Sequence, residues 1–335
     1  MPTYPGISSE AFRHPLDREA EASLRGVPGF DMIARKFVEF IYERPQYVYN
    51  LGNHIEVGPR QYSTVYQIFR ECVRDLDISP VPTVFVVQNP QVNAYSLGEE
   101  QPTIVINSGL LDLMSEDELR TVIAHELGHI KCGHTTLIQM AMWAISTLGA
   151  IGEMTFGIGN AIGMGLVYAF YEWRRKAELS ADRAALLVSD DLDTVMRTMM
   201  KMAGGSSKYA HEVDLKEFVR QSDRYQQLDG DNLNQIYKFL LYNGGQNGFL
   251  THPFPVERVS YLRDWSESEM FAAIRKGDYI RCGQEGSVDV EEMDLDLDES
   301  STVKPEDLNE IARQIEALKR EIEREKAKQS GRSGF

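Results

Sequence analysis

Residues 121–136 read TVIAHELGHIKCGHTT, which sets His125 and His129 four residues apart with Glu126 directly after the first. On an α-helix, residues four apart lie on one face, offset by about 40° and one turn. The two imidazoles can therefore each aim a nitrogen at one point about 2 Å away, the distance at which zinc takes a histidine. Glu126 is rotated about 100° from His125, an awkward place for a third ligand but within reach of a water at the metal. The spacing thus separates ligands from a general base, as a hydrolytic zinc site needs. Taken alone, the same three residues also read as satisfied polar groups on a buried helix.

A third ligand decides between the two. A pattern with histidine six residues past His129 and glycine at the third place fails, because those positions hold Thr135 and Cys132. The segment RRKAELSADRAALL (174–187) offers a carboxylate instead. Glu178 and Asp182 are four apart on one face, so Glu178 can complete a His-His-Glu set. Asp182, one turn along, can accept the other N–H of a ligand histidine and fix its tautomer. By itself, beside Arg174, Arg175 and Arg183, the pair reads as a solvated acidic surface; coupled to the histidine motif, it reads as a ligand with its support.

Working outward, Ser115 and Glu118 form a capping box, which predicts a helix starting near Glu116 and running through both histidines. Before it, TVFVV (83–87), VNAYSL (92–97) and PTIVIN (102–107) are short, β-branched and separated by Pro, Gly and Asn. They predict a small antiparallel sheet. PTIVIN is the expected sheet edge, to which an extended substrate could add by main-chain hydrogen bonds. Helical spacing of apolar residues marks FDMIARKFVEFIYE (30–43) and QYSTVYQIFRECVRDL (61–76). The expected fold class is α+β, mainly helical, with the small antiparallel sheet over the active-site helix. Its expected parts are an N-terminal helical segment (1–80), a catalytic core (81–270), an acidic linker (271–304) and an amphipathic helix (305–328).

The 335-residue chain carries a formal net charge of −16, which argues against nucleic acid or anionic lipid headgroups as main partners. Three scattered cysteines, Cys72, Cys132 and Cys282, form no disulfide framework and fit a reducing compartment. The segment MPTYPGISSEAFRHPLDREAEASL has no basic start followed by an apolar run, so a cytoplasmic location is expected. Residues 132–152 and 154–171 lack formal charge and approach the length of a membrane span. Polar residues from His134 to Gln139, and glycines with Asn160 in the second run, make them poor spans. Peripheral membrane contact through 135–171 is the expectation, with a membrane-anchored protease as the alternative. The run SVDVEEMDLDLDESS (287–301) is too acidic to bury a core. Beyond it, Leu308, Ile311, Ile315, Leu318 and Ile322 recur at three- and four-residue spacing, which suggests self-association through 305–328.

Four passages together resemble the gluzincin metallopeptidases of the HtpX heat-shock protease and CAAX prenyl protease family. They are HELGH (125–129), AELSAD (177–182), NAYSLG (93–98) and THPFPVER (251–258), spread over about half of the chain. The front segment HPLDREAEASLRGVPGFD (14–31) also resembles N-terminal helices of cytosolic-facing members. The resemblance implies one zinc ion per chain held by His125, His129 and Glu178, with Glu126 as general base. It implies endopeptidase activity on proteins or peptides, with protein quality control as a setting. It also places Asn93 and His252 in the cleft, polarising the scissile carbonyl or holding substrate. From chemistry alone, His252 in a Pro-bounded loop could donate to an oxyanion or be a turn histidine, and Asn93 could be a hairpin turn residue. Arg258 is expected to order its loop rather than touch substrate. His134, turned about 140° from His129, is expected to pack or to support a ligand, and Cys132 to be a core thiol. A competing reading is a metal-bound but proteolytically idle scaffold that binds proteins through the terminal helix.

Overall fold

The computed structural model describes residues 2–27, 30, 43–140, 158–229, 232–243 and 250–284. Residues 31–42 of the expected N-terminal helix, the acidic run and the helix expected at 305–328 lie outside them, as does the middle of the uncharged stretch (141–157). The chain begins with α1 (Pro15–Arg25), α2 (Glu43–Asn53), β1 (Ile55–Glu56) and α3 (Ser63–Asp75). Strands β2 (Thr83–Val87), β3 (Ala94–Leu97) and β4 (Thr103–Asn107) follow, then α4 (Ser108–Leu113) and α5 (Glu116–Lys131). The second half is helical: α6 (Ile158–Ser189), α7 (Leu192–Gly204), α8 (Leu215–Asp229), α9 (Asn232–Tyr242), α10 (Pro255–Ser266) and α11 (Glu269–Arg275).

Helix α5 starts where the capping box puts it. Ser115 Oγ accepts from the Glu118 N–H at 3.4 Å, and the Glu118 carboxylate accepts from the Ser115 N–H at 2.8 Å. Two of the helix's orphan donors are thereby satisfied at once. Most of α5 is buried on every side, including Leu119, Val122, Ile123 and Leu127, as expected of a helix enclosed by its neighbours. It packs against α3, α7 and β3, and most extensively against α6.

The contact with α6 is unusually close. A Cβ added to Gly128 would stand 2.7 Å from the Ala184 Cβ and 3.0 Å from the Ala181 Cα. Ala181 and Ala184, both buried, are the small residues that α6 presents at this contact. Gly128 is therefore what lets the helix bearing both histidines approach the one bearing Glu178 and Asp182.

The sheet has the order β1-β2-β4-β3 and is mixed rather than antiparallel throughout. β1 with β2, and β3 with β4, are antiparallel, while β2 and β4 run parallel in register from Thr83↔Thr103 to Val87↔Asn107. After β2 the chain passes to the far edge as β3, then turns back to fill the slot between them. That turn requires Gly98: its φ is +84°, and a Cβ there would meet the Gln101 carbonyl oxygen at 2.7 Å. PTIVIN is consequently not an edge. β4 is flanked on both sides and all five of its residues are buried. The edge nearest α5 is β3.

The N-terminal segment folds into the same body as the rest. Tyr4, Ile7 and Phe12 join the main core with Ile123, Leu127 and Trp265. The Ser8 N–H donates to the Ile280 carbonyl at 3.0 Å and the Cys282 N–H to the Gly6 carbonyl at 2.8 Å, tying the two ends of the described chain together. A second, smaller core joins Leu24 and Phe30 to Leu137, Ile138, Leu166, Phe170 and Trp173. The flanks of the uncharged stretch are thus packed inside protein. Among the described residues, no helix is long and apolar enough to cross a membrane.

Enlarging Gly128 tests the close approach. Gly128→Ala should destabilise the protein by about 1–3 kcal/mol through overpacking, read as a lower denaturant midpoint at unchanged slope. An unchanged midpoint would show that the two helices have room to spare.

Candidate metal centre

α5 and α6 bring four of the expected residues into one buried cluster. The His125 and His129 Nε2 atoms are 3.2 Å apart. His125 Nε2 lies 3.2 Å from one Glu178 oxygen, and His129 Nε2 lies 3.4 Å from the other. One ligand-type atom from each of the three residues falls within 4.8 Å of the others, the only such group among the described residues. The other ring nitrogens point away. His125 Nδ1 is 3.0 Å from Asp182 Oδ1, and His129 Nδ1 is 3.0 Å from His134 Nδ1.

The hydrogen bonding shows what the cluster lacks. Glu178 Oε2 is buried with no well-aligned hydrogen bond, although His125 Nε2 stands 3.2 Å and Arg258 Nη1 3.5 Å from it. Burial alone would raise the Glu178 pKa. The three imidazoles of His252, His125 and His129 outweigh it and hold the carboxyl well below its ordinary range, so it stays ionised. Burial likewise opposes charge on His125, but the Asp182 and Glu178 carboxylates prevail and lift the metal-free imidazole to about 10. A buried anion facing two imidazole Nε2 atoms suits a cation bound by mixed N and O donors, the combination zinc takes. A metal would displace the proton that His125 otherwise holds.

Asp182 accepts from more than His125. Arg258 forks onto it, Nε to Oδ2 at 2.8 Å and Nη2 to Oδ1 at 2.5 Å, and its Nη1 lies 3.5 Å from Glu178. Burial raises the Asp182 pKa, but Arg258 first and then His125 bring it below the ordinary carboxylate range. The motif THPFPVER thus supplies a largely shielded cation to the site, and Arg258 does more than order its loop.

The remaining expected residues line the adjoining cleft, with Glu126 buried and Asn93 at the head of the edge strand. The Asn93 carbonyl accepts from the Asn107 N–H at 3.0 Å, so Asn93 begins the β3–β4 pairing rather than the turn that closes it. His252 Nε2 stands 3.4 Å from Glu178, with about half of its side chain (47%) exposed. Its loop is pinned from both sides. Arg175 donates to the Leu250 carbonyl at 3.2 Å, and the Phe254 N–H donates to the Tyr242 hydroxyl at 2.9 Å. Val122, Val195, Met199 and Met202 give one flank of the cleft an apolar wall. Cys132 packs at the margin of the main core, as a core thiol would.

His134, expected to pack or to support a ligand, has a partner on each side, and one of them, Asp17, the sequence conceals. It is fully buried and bonds both His129 and, through Nε2 at 3.0 Å, Asp17 of α1. Nothing in the spacing of His134 and Asp17 announces that contact.

Residues 59–266, more than half of the chain, match Peptidase family M48. The chain is similar to Plastoglobule-localized metallopeptidase 48, chloroplastic, of Arabidopsis thaliana, at 32% identity over 272 residues, 81% of this chain and 76% of the relative. It is also similar to the Protease HtpX homolog of Moorella thermoacetica, at 24% identity over 250 residues, 68% of this chain and 79% of the relative. A Protease HtpX homolog of Burkholderia mallei matches at 24% identity over 244 residues, 67% and 81% of the two chains. With a His-His-Glu cluster at the junction of α5 and α6 and a family match that spans both helices, the chain belongs to peptidase family M48 and is a metallopeptidase.

Proposed function

We propose that the protein is a zinc-dependent endopeptidase with Glu126 as its general base. One observation carries the reading: the Nε2 atoms of His125 and His129, 3.2 Å apart, converge on the two oxygens of the buried Glu178 carboxylate at 3.2 and 3.4 Å. His125, His129 and Glu178 would hold the zinc, which when bound supplies a Lewis acid for water and for the peptide carbonyl.

The chain's own groups do the rest. Glu126, set on α5 between the two histidines and lining the cleft, takes a proton from the attacking water and returns it to the leaving amine. General acid–base transfer of this kind contributes about 10²–10⁴-fold. His252 presents a half-exposed imidazole at the cleft mouth, where a donor can meet the carbonyl oxygen as it gains charge. Asn93 faces the same space from the head of β3. Asp182, locked by Arg258, holds His125 with Nδ1 protonated and Nε2 free, the orientation a ligand needs.

Substrate adds to β3 rather than to PTIVIN. Donors and acceptors of alternate residues in an antiparallel strand face opposite edges. Because Asn93 is bonded to Asn107, the backbone groups of Ala94 and Ser96 face away from β4. No other strand pairs with that edge among the described residues. An extended peptide laid there would be read by its main chain, with loose sequence preference, and the apolar wall of Val122, Val195, Met199 and Met202 favours an apolar side chain beside the scissile bond. An edge of this kind suits a segment within a longer chain, hence the endopeptidase reading.

Purified protein should carry about one zinc per chain by elemental analysis, with Glu126→Gln retaining it and losing at least about 10²-fold of casein cleavage. Glu178→Ala should lose most of the metal. Full zinc in Glu178→Ala, or full cleavage by Glu126→Gln, would contradict these assignments. Asp182→Ala should weaken zinc affinity about 10–100-fold without abolishing it. Unchanged affinity in a chelator competition would leave Asp182 with no part in orienting His125.

A further inference from the structure

The geometry points to a relay from the N-terminal helix to the metal centre: Asp17 of α1, acting through His134, positions His129 as a ligand. The relay rests on the zinc reading above and extends it to a segment outside the matched family region of 59–266.

Its logic is hydrogen-bond counting. Asp17 Oδ2 lies 3.0 Å from His134 Nε2, and it accepts from the Ser180 hydroxyl at 2.7 Å and from Arg13 Nε at 2.9 Å. Arg13 Nη2 reaches Oδ1 at 3.3 Å. A carboxylate served by Arg13 and Ser180 has no proton to offer, so His134 Nε2 must be the donor. His134 and Asp17 are both fully buried, and a neutral imidazole that carries its proton on Nε2 has only a lone pair at Nδ1. The atom 3.0 Å from that lone pair is His129 Nδ1, which must therefore bear hydrogen. His129 Nε2 is then left bare, and it is the atom that faces Glu178 and His125 Nε2.

Each ligand histidine thus has its own orienting partner. His125 has the Asp182 carboxylate directly, and His129 has a carboxylate relayed through a second imidazole. The arrangement is anchored on both sides, because Ser180, two residues from Glu178, also accepts the His14 N–H at 2.9 Å. α1 packs along α6, so the N-terminal segment acts as part of the centre. Asp17 and His134 are positioning residues; neither touches substrate.

The experiment measures zinc affinity by chelator competition for wild type, His134→Phe and His134→Gln, together with ¹⁵N imidazole NMR of zinc-loaded wild type. His134→Phe removes the acceptor and should weaken zinc about 10–100-fold. His134→Gln keeps a carbonyl that can accept the His129 Nδ1–H and should recover most of the loss. The spectrum should show the His134 proton on Nε2 and the His129 proton on Nδ1, which decides the matter even where a variant fails to fold. Wild-type zinc binding with unchanged affinity in His134→Phe, or a His134 proton on Nδ1, overturns the relay alone. A wild type that binds no zinc overturns both the relay and the function it rests on.

Discussion

The whole site depends on one steric fact: α5 and α6 touch at Gly128, where the neighbouring Ala181 and Ala184 leave no space for even a methyl group. Ligands on two helices can share a cation only when the helix axes come close. The small faces of Gly128 and of the α6 alanines permit that, and side chains of ordinary size would not. The glycine inside HELGH is therefore a packing residue whose consequence is chemical. It lies one position before His129 and determines how far His129 stands from Glu178.

Close packing also removes water, and that sets the electrostatics. Glu178, Asp182 and Arg258 are each largely or wholly shielded, and a lone buried charge would be very unfavourable. The site answers with alternation: Arg258 forks onto Asp182, Asp182 holds His125, and Glu178 is ringed by imidazoles. Breaking one member of such a network leaves the next exposed to the low-dielectric interior, so its parts are strongly non-additive. The same shielding preserves the strength of the two contacts made by the histidine Nδ1 atoms, His125 to Asp182 and His129 to His134.

Much of this was written locally in the sequence. The capping box, the four-residue offset of His125 and His129, and the matching offset of Glu178 and Asp182 are all consequences of helical period, and they are borne by single helices. What escaped depends on where the chain returns. Its place before the active-site helix makes PTIVIN read as an edge, although its apolar run is the pattern of a strand covered on both faces. The parallel pairing of β2 with β4 follows from β3 passing to the outside, which no turn residue announces. Arg258 and the Asp17–His134 contact join segments far apart in the chain, and a single sequence has no period that links them. The sequence leaves Asn93 open between turn and cleft, and the register sets it at the head of β3, beside the cleft.

The central claim is that His125, His129 and Glu178 share one metal ion. X-ray absorption at the zinc edge on the purified, zinc-loaded protein tests it most directly. The account predicts a shell of nitrogen and oxygen donors at about 2.0–2.2 Å with two imidazoles and no sulfur. A zinc–sulfur distance near about 2.3 Å, which would bring Cys132 or another thiol into the shell, or a zinc with no imidazole scattering, would contradict it.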